Sequence, residues 1–204
     1  MAQKIFLYPA WIRFWHLLNA LLCLLLIVTG LSMHYSNPGA LVGFRVSVQV
    51  HNLSGIILSL NYLIFLVGNT ITNNGVFYRF ALKGMIDRLF KQFGYYTGGL
   101  FKGEKAPFPI NESRKFNPLQ QFTYGSIMYM AVPLVIISGF IMLYPELILP
   151  HFKGLIGVFL TDLIHITMGF FISVFLIIHV YFCTIGHTTI SNFKSMINGW
   201  HEVH

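Results

Sequence analysis

Four apolar segments, each long enough to cross a lipid bilayer, constrain this chain more than any other feature of its sequence. A hydrocarbon core about 30 Å thick requires about 20 residues of α-helix. Backbone groups in lipid must be bonded within the segment, and these runs lack the alternation of barrel strands. The sequence therefore predicts a single membrane domain, residues 1–204, with four transmembrane helices. They run from about Arg13 to Tyr35, Val50 to Thr72, Phe122 to Tyr144 and Val158 to Thr184.

The composition agrees with a membrane protein. Of the 204 residues, 55% are hydrophobic and only 9% are charged, whereas a soluble domain carries about a quarter charged residues. The net charge of +7 is expected to set topology and to meet anionic lipid headgroups, so lipid is an expected partner and nucleic acid is not. The two cysteines, Cys23 and Cys183, form no C-x-x-C motif, which argues against a zinc ribbon, a redox dithiol and covalently attached haem.

Basic residues predict the orientation of the spans. Lys4 and Arg13 lie at the N-terminus, Lys194 follows the fourth span, and eight more lie between the second and third spans, whereas the opposite side has only Arg45 and Lys153. By the positive-inside rule, both termini and the long connection are cytoplasmic. We therefore predict an all-α, antiparallel four-helix membrane bundle with both termini in the cytoplasm. The first span lacks a small-residue cleavage site, so we expect no cleavable signal peptide.

The long connection between the second and third spans has a helical pattern of its own. In GVFYRFALKGMIDRLFKQF, Arg79, Lys83, Asp87 and Lys91 recur every four residues, and apolar residues supply another face. This pattern predicts an amphipathic helix in the membrane interface, where anchoring the loop is a more common role than docking a partner. Residues 94–118, with their glycines and prolines, are expected to form a loop.

Besides His34, which falls at the end of the first span, four of the nine histidines lie in the spans, at two depths. His16 is near the cytoplasmic start of the first span, His51 is near the outer start of the second, and the fourth span carries His165 and His179. Fourteen helical residues give about 21 Å of rise and return to within about 40° of the same face. His165 therefore shares the outer level with His51, and His179 shares the inner level with His16. The other five are expected to be interfacial: His34, His151, His187, His201 and His204.

The pairing of these histidines favours a metal cofactor. A single histidine in a span is more often an interhelical hydrogen-bond partner, but ionisable groups in a membrane normally face a partner in the interior. Zinc requires three or four ligands, and neither pair has an acidic or cysteine neighbour that completes such a site. Haem requires two axial ligands and suits a bundle interior. The pattern predicts two b haems, an inner one on His16 and His179 and an outer one on His51 and His165.

Small and basic residues near the histidines have two interpretations each. Gly30, Gly55, Gly139 and Gly169 each lie in a span, and the second and fourth of them lie one helical turn from a predicted ligand. They suit a haem pocket, although small-residue helix packing is common in membranes. Arg13 lies one turn before the first histidine, where it suits a haem propionate or, more commonly, a lipid headgroup.

The histidine pattern and its surroundings resemble a known family. The relevant stretches are RFWHLLNALLCLLLIVTGLSM, KFNPLQQFTYGSIMYMAVPLVIISG, LIHITMG and LIIHVYF. They resemble the gamma subunit of respiratory formate dehydrogenase and the cytochrome b subunits of nickel-iron hydrogenase and thiosulfate reductase, over most of the chain. The H-x13-H spacing is also shared by other di-haem four-helix cytochromes, including a superoxide-oxidising type. The resemblance implies the same haem pairing.

The resemblance also implies a quinone site beside the cytoplasmic-side haem. In the family, the quinone lies close to an Asn that precedes the third span. Asn117 matches that Asn, and Gln120 and His179 complete the candidate site. Pro118 departs from the family pattern and restricts the backbone of Asn117. A turn residue before proline is the alternative role of Asn117.

No substrate chemistry is visible in the sequence. It contains no dinucleotide fingerprint, cluster-binding cysteine set or nucleophile arrangement, so we predict no catalytic residue and leave open whether the chain acts as an enzyme by itself. The resemblance implies a membrane-anchor subunit of a respiratory oxidoreductase complex. Such a subunit passes electrons across the membrane between the quinone pool (menaquinone or ubiquinone) and a periplasmic partner, either an iron-sulfur/molybdopterin enzyme or a multihaem cytochrome c.

Two other functions remain compatible with the sequence. The first is a free-standing di-haem superoxide:quinone oxidoreductase, because the short outer loops and the lack of a catalytic domain fit it equally well. The second is a haem-free proton-relay transporter or interaction protein that uses its intramembrane histidines without a metal. The pairing of the histidines by depth and the scarcity of carboxylates in the spans argue against the second.

Overall fold

The computed structural model describes residues 3–35, 42–148, 155–186 and 188–203. Four of its helices are long and apolar enough to cross a membrane, which confirms the predicted all-α fold with four spans. These helices are Ala10–His34, Phe44–Ile71, Pro118–Leu143 and Gly157–Cys183.

Within the described residues, the elements follow one another as a short strand, eight helices and a second short strand. They are β1 (Gln3–Phe6), α1 (Ala10–His34), α2 (Phe44–Ile71), α3 (Met85–Gly94), α4 (Pro118–Ser126), α5 (Val132–Leu143), α6 (Pro145–Ile148), α7 (Leu155–Cys183), α8 (Ser191–Asn198) and β2 (Trp200–Val203). Between them lie a 3₁₀ turn at Asn74–Tyr78 and π-helical turns at Tyr95–Gly99 and Ile127–Ala131. The last of these joins α4 to α5 and ends two residues before Pro133, which has no N–H to continue the α-helical ladder.

The spanning helices keep large apolar side chains on their outer surfaces. Phe14 and Leu17 on α1, Ile71 on α2 and Ile177 on α7 are all mainly exposed in the isolated chain. A helix that is apolar on all sides requires an apolar environment on all sides. These exposed apolar side chains are therefore suited to contact with lipid.

The described residues group into two compact units, and the predicted single domain stays a prediction. The first unit contains Met1–Arg13, Gly68–Tyr129 and His179–His204. The second contains Phe14–Val67 and Met130–Ile178.

The first unit joins the two ends of the chain, which the sequence did not predict. Strands β1 and β2 pair antiparallel, and Lys4 lies opposite Glu202 with 3.5 Å between Nζ and Oε1. The Arg13 guanidinium donates to the carbonyl of Ile197 at the end of α8, where a cation complements the helix dipole. The paired termini share one side, as an even number of spans requires. The cytoplasmic location of that side stays a prediction.

The predicted amphipathic helix is present in the first unit, but it is shorter than the pattern. Helix α3 begins at Met85, because Gly84 adopts a φ of 66° that a right-handed helix cannot continue. Arg79 and Lys83 therefore precede the helix. Phe90 is 72% exposed, as expected for an apolar face that lies on lipid.

A buried polar chain connects three segments of the first unit. Lys115 Nζ donates to Asn74 Oδ1 at 2.9 Å, Asn74 Nδ2 donates to Asn69 Oδ1 at 2.8 Å, and Asn69 Nδ2 donates to the Tyr129 hydroxyl at 3.0 Å. The Lys115 ammonium also lies 4.5 Å from the centroid of the Phe77 ring. Burial lowers the pKa of Lys115, which is only 9% exposed.

In the second unit, reciprocal hydrogen bonds join α1 to α2. The Trp15 indole Nε1 donates to the Asn61 carbonyl at 3.0 Å, and Asn61 Nδ2 donates back to the Trp15 carbonyl at 3.3 Å. The Trp15 ring also stacks on Phe65, with 4.6 Å between centroids. Two buried polar side chains are thus satisfied, as a bundle interior requires, and the two helices are held in one register.

Candidate haem sites

The predicted outer ligands face each other in the second unit. The rings of His51 on α2 and His165 on α7 have centroids 6.1 Å apart and planes inclined at 62°. Two imidazoles that each bound one metal through a nitrogen at about 2.0–2.1 Å would have ring centroids about 6 Å apart. The spacing of the two rings therefore fits His51 and His165 as the residues that would hold one haem iron.

Hydrogen bonds to hydroxyl groups fix the form of both imidazoles. Nδ1 of His51 is 3.0 Å from Thr29 Oγ1, and Nδ1 of His165 is 3.0 Å from Ser138 Oγ. Both hydroxyls donate their only proton to a carbonyl one turn back in their own helix, at 2.6 Å for Thr29 and 2.7 Å for Ser138. Each hydroxyl oxygen therefore accepts from Nδ1–H. The lone pair then lies on Nε2, in the form that ligates a metal.

Four glycines surround this pair in two different ways. Gly30 and Gly139 lie against the imidazoles, since a Cβ there would be 3.5 Å and 3.2 Å from the nearest Cε1. Gly55 and Gly169 lie one turn beyond the two histidines, and a Cβ there would meet no atom within 4 Å. Residues four apart share a helix face. The faces of α2 and α7 that carry the predicted ligands thus leave their backbone accessible to a large flat ring.

The donor set fits haem rather than zinc. Within residues 3–35, 42–148, 155–186 and 188–203, no three His, Cys, Asp or Glu side chains form a group that could hold a metal ion. His51 and His165 thus supply two nitrogens, which match the two axial positions of a haem iron and fall short of a tetrahedral zinc site. Of the four spanning helices, α7 is the least covered by protein, since no residue in its most apolar stretch is buried.

The predicted inner ligands, His16 and His179, lie in different units. In the first unit, Nδ1 of His179 is 3.1 Å from the Tyr124 hydroxyl, and its Nε2 is 3.7 Å from Cys183 Sγ. A phenol both donates and accepts; in the tautomer that ligates through Nε2, it accepts from Nδ1–H. In the second unit, His16 is half-buried on α1 beside Trp15, with 6.4 Å between ring centroids. The pairing of His16 with His179 stays a prediction.

Two of the three predicted quinone residues, Asn117 and Gln120, form the N-terminal cap of α4. Asn117 Oδ1 accepts from the Gln120 backbone N–H at 3.0 Å, and Gln120 Oε1 accepts from the Asn117 backbone N–H at 3.1 Å. This reciprocal capping box leaves Asn117 with extended backbone angles, which suit a residue before proline. Pro118 follows as the first helical residue, where its missing N–H has no cost. The proline therefore supports the geometry of Asn117 rather than distorting it.

Aromatic side chains connect this cap with His179 inside the first unit. Asn117 Nδ2 donates to the Tyr96 hydroxyl at 2.8 Å. The Phe116 ring meets the Tyr124 ring edge-on, with 4.9 Å between centroids, and Tyr124 bonds His179. Burial raises the pKa of Tyr96, which keeps its phenol neutral.

Sequence reasoning missed four side chains that hold these histidines and this cap. Tyr96 and Tyr124 have no periodic signal, but Thr29 and Ser138 each precede a glycine within a span, and this repeated hydroxyl–glycine pair was visible. Of the histidines outside the pairs, His34 ends α1 beside Tyr35 and His201 lies in β2. Three lie outside the described residues: His151, His187 and His204.

Comparison with known proteins identifies the family. The chain matches the family described as prokaryotic cytochrome b561 over residues 7–199. It is also 38% identical over 200 residues to the protein named Putative cytochrome YdhU of Escherichia coli (strain K12), which covers 98% of this chain and 76% of that protein. The resemblance to prokaryotic cytochrome b subunits is thus confirmed. The chain belongs to the prokaryotic cytochrome b561 family and is a multi-pass membrane cytochrome b that binds haem b and transfers electrons.

Proposed function

We propose that this chain binds two b haems and transfers electrons across the bacterial inner membrane between a quinone and a periplasmic redox partner. The observation that carries the proposal is the pair of His51 and His165, with ring centroids 6.1 Å apart and both Nδ1 atoms engaged by hydroxyls. When bound, haem supplies reversible one-electron chemistry. The chain itself supplies the axial nitrogens, their orientation and an apolar environment that excludes water.

The second haem is proposed to lie at the inner level, on His16 and His179. Helix α7 runs unbroken from Leu155 to Cys183, so His165 and His179 lie on one helix, about 21 Å apart along its axis. One helix thus supplies a ligand at each of two membrane depths. With both termini in the cytoplasm, electrons would enter at one membrane surface and leave at the other.

The quinone is proposed to bind at the cytoplasmic side, beside Asn117, Gln120 and His179. The Asn117 amide has two N–H groups, and Tyr96 accepts from one of them. The Gln120 side chain uses its oxygen for the cap, which leaves its NH₂ group for a ligand. These amide donors suit the carbonyl oxygen of a quinone. The Tyr124 phenol, hydrogen-bonded to His179, is a neutral group through which a proton can move.

The partner is proposed to be an iron-sulfur/molybdopterin enzyme or a multihaem cytochrome c on the periplasmic side. The chain has no catalytic motif of its own, so its electrons require a second protein that acts on the terminal substrate. The complex would then be a respiratory oxidoreductase in which this chain is the membrane anchor. Co-purification from native membranes, followed by identification of the associated subunits, tests this assignment.

Haem quantification tests the central part of the proposal. We expect the purified chain to give a reduced-minus-oxidised visible spectrum of b type, with two haems per chain. His51→Ala should lower the content to one haem, whereas His34→Ala, a change to an exposed histidine on α1, should leave two. A fully folded chain that carries no b haem would support a haem-free relay instead.

Replacement of Asn117 tests the quinone site. Asn117→Ser keeps an oxygen that caps α4 but removes the amide donors, whereas Asn117→Ala removes both. We expect Asn117→Ser to raise the KM for quinone several-fold while both haems stay bound, because one hydrogen bond to the ligand is lost. Quinone turnover that is identical in Asn117→Ser and wild type would show that the amide does not bind quinone.

A further inference from the structure

Two hydroxyl–glycine pairs meet the outer histidines in the same way. Thr29–Gly30 on α1 contacts His51, and Ser138–Gly139 on α5 contacts His165. In each pair the hydroxyl oxygen is 3.0 Å from Nδ1 of the imidazole. In each pair the glycine lies so close to the ring that an added Cβ would be 3.5 Å or 3.2 Å from Cε1. Two different helices thus present the same local arrangement to two facing rings.

The hydroxyls are restricted to one role in these contacts. Thr29 donates its proton to the Leu25 carbonyl and Ser138 donates to the Leu134 carbonyl. Neither hydroxyl therefore has a proton left for the imidazole, and both act as acceptors. Each hydroxyl therefore favours a proton on Nδ1 of the imidazole that it contacts.

An acceptor at Nδ1 changes the ligand properties of the opposite nitrogen. It draws the N–H proton outward, which raises the basicity of Nε2 and fixes the orientation of the ring. A more basic axial ligand stabilises the oxidised iron, so hydrogen bonding to an axial imidazole lowers the reduction potential of a haem. Both axial ligands of the outer site carry this hydrogen bond, so their effects add.

We infer that Thr29 and Ser138 are positioning residues of the outer haem, which hold both imidazoles in the ligating tautomer and lower the reduction potential of that haem. Gly139 lets α5 approach α7 closely enough for the Ser138 hydroxyl to reach Nδ1 of His165, whereas a Cβ at Gly30 would make only ordinary van der Waals contact with His51. This inference rests on the proposed function, because it assigns His51 and His165 to one haem. It adds to that function the groups that set the potential of the outer site.

Redox titration of two variants tests the inference. Thr29→Val keeps the shape of the side chain, and Ser138→Ala removes only the hydroxyl. We expect both variants to keep two haems per chain and to raise the midpoint potential of one haem only. The expected size is up to a tenfold change in the ratio of reduced to oxidised haem, which is 59 mV for a one-electron couple. Thr29→Ser and Ser138→Thr should restore the wild-type potential.

Two serines provide matched controls. Ser32 on α1 donates to the Val28 carbonyl at 2.8 Å, and Ser173 on α7 donates to the Gly169 carbonyl at 2.7 Å. Ser32→Ala and Ser173→Ala remove the same kind of intrahelical hydrogen bond without removing an imidazole contact. The inference is overturned when Thr29→Val and Ser138→Ala shift the potential no more than these controls do. It is also overturned when Thr29→Ser shifts the potential as much as Thr29→Val.

The failure of the inference is distinguishable from the failure of the proposed function. If His51→Ala keeps both haems, the ligand assignment itself is overturned, whatever the hydroxyl variants show. A wild-type chain with two haems and an unmoved potential in both hydroxyl variants would overturn only the inference. Should Thr29→Val not accumulate in membranes, Ser138→Ala tests the same statement at the opposite ligand.

Discussion

The predicted outer pair of the second unit, His51 and His165, and the predicted inner ligand of the first unit, His179, are held by different chemical groups. His51 and His165 each bond an aliphatic hydroxyl whose proton is committed to a helix carbonyl. His179 bonds the Tyr124 phenol, and its Nε2 faces the Cys183 thiol. The aliphatic hydroxyls only accept, whereas a phenol donates or accepts. The outer pair is thus fixed in one tautomer, whereas the phenol contact is compatible with either tautomer of His179.

This difference matches the work proposed for the two levels. An electron-transfer site benefits from ligands that do not change their protonation, and the hydroxyls provide this for the outer pair. A site beside a quinone exchanges protons as well as electrons, and a phenol between the ligand and the protein interior allows such exchange. The π-helical turn Tyr95–Gly99, which carries Tyr96, lies in the same unit, and such turns are frequent at functional sites.

The largest effect that separates the two regions is expected from Gly139. A Cβ at this position would be 3.2 Å from Cε1 of His165. The larger side chain of Gly139→Leu would therefore displace the imidazole from its present position. We expect this variant to lose the outer haem and to keep the inner one, as measured by haem content per chain. Gly30→Ala, with a Cβ 3.5 Å from His51, should keep both haems. Retention of both haems in Gly139→Leu would contradict the close packing around His165.

A smaller effect, confined to the inner level, is expected from Tyr124→Phe. The change removes the hydrogen bond to His179 Nδ1 but keeps the aromatic packing. We expect both haems to remain and the potential of one haem to shift. Quinone turnover should fall several-fold, because phenylalanine has no hydroxyl group to pass a proton. Tyr181→Phe, a change to an exposed tyrosine on α7, is the control. Equal turnover in both variants and wild type would show that the Tyr124 hydroxyl has no part in the reaction.

The smallest effect is expected at Lys115, whose buried ammonium belongs to the first unit. Burial lowers the pKa of Lys115 below its ordinary value of 10.5, so near that pH the unfolded chain binds more protons than the folded chain. Stability should therefore rise as the pH increases from the lowered pKa of Lys115 towards 10.5. Lys115→Gln should flatten this rise, as seen in thermal unfolding of the detergent-solubilised protein between neutral and alkaline pH. An unchanged slope would exclude Lys115 as its source.

The four spans could be predicted because long apolar runs in lipid have few alternatives. The ends of the spans were harder to predict. The third span begins at Pro118 rather than Phe122, because Asn117 and Gln120 form a cap. The pairing of β1 with β2 joins four-residue strands from opposite ends of the chain, and no local pattern signals such a contact. Likewise, the sequence shows which histidines lie in spans but not which hydroxyl reaches each Nδ1, since that depends on the packing of neighbouring helices.

The most direct test of the central claim is the haem content of two double variants, compared with the single histidine variants. If His51 and His165 ligate one haem, His51→Ala with His165→Ala removes the same haem twice, and one b haem per chain should remain. If His179 ligates the other, His51→Ala with His179→Ala should leave none. A chain that loses both haems in the first double variant, or keeps one in the second, would contradict the assignment of these ligands.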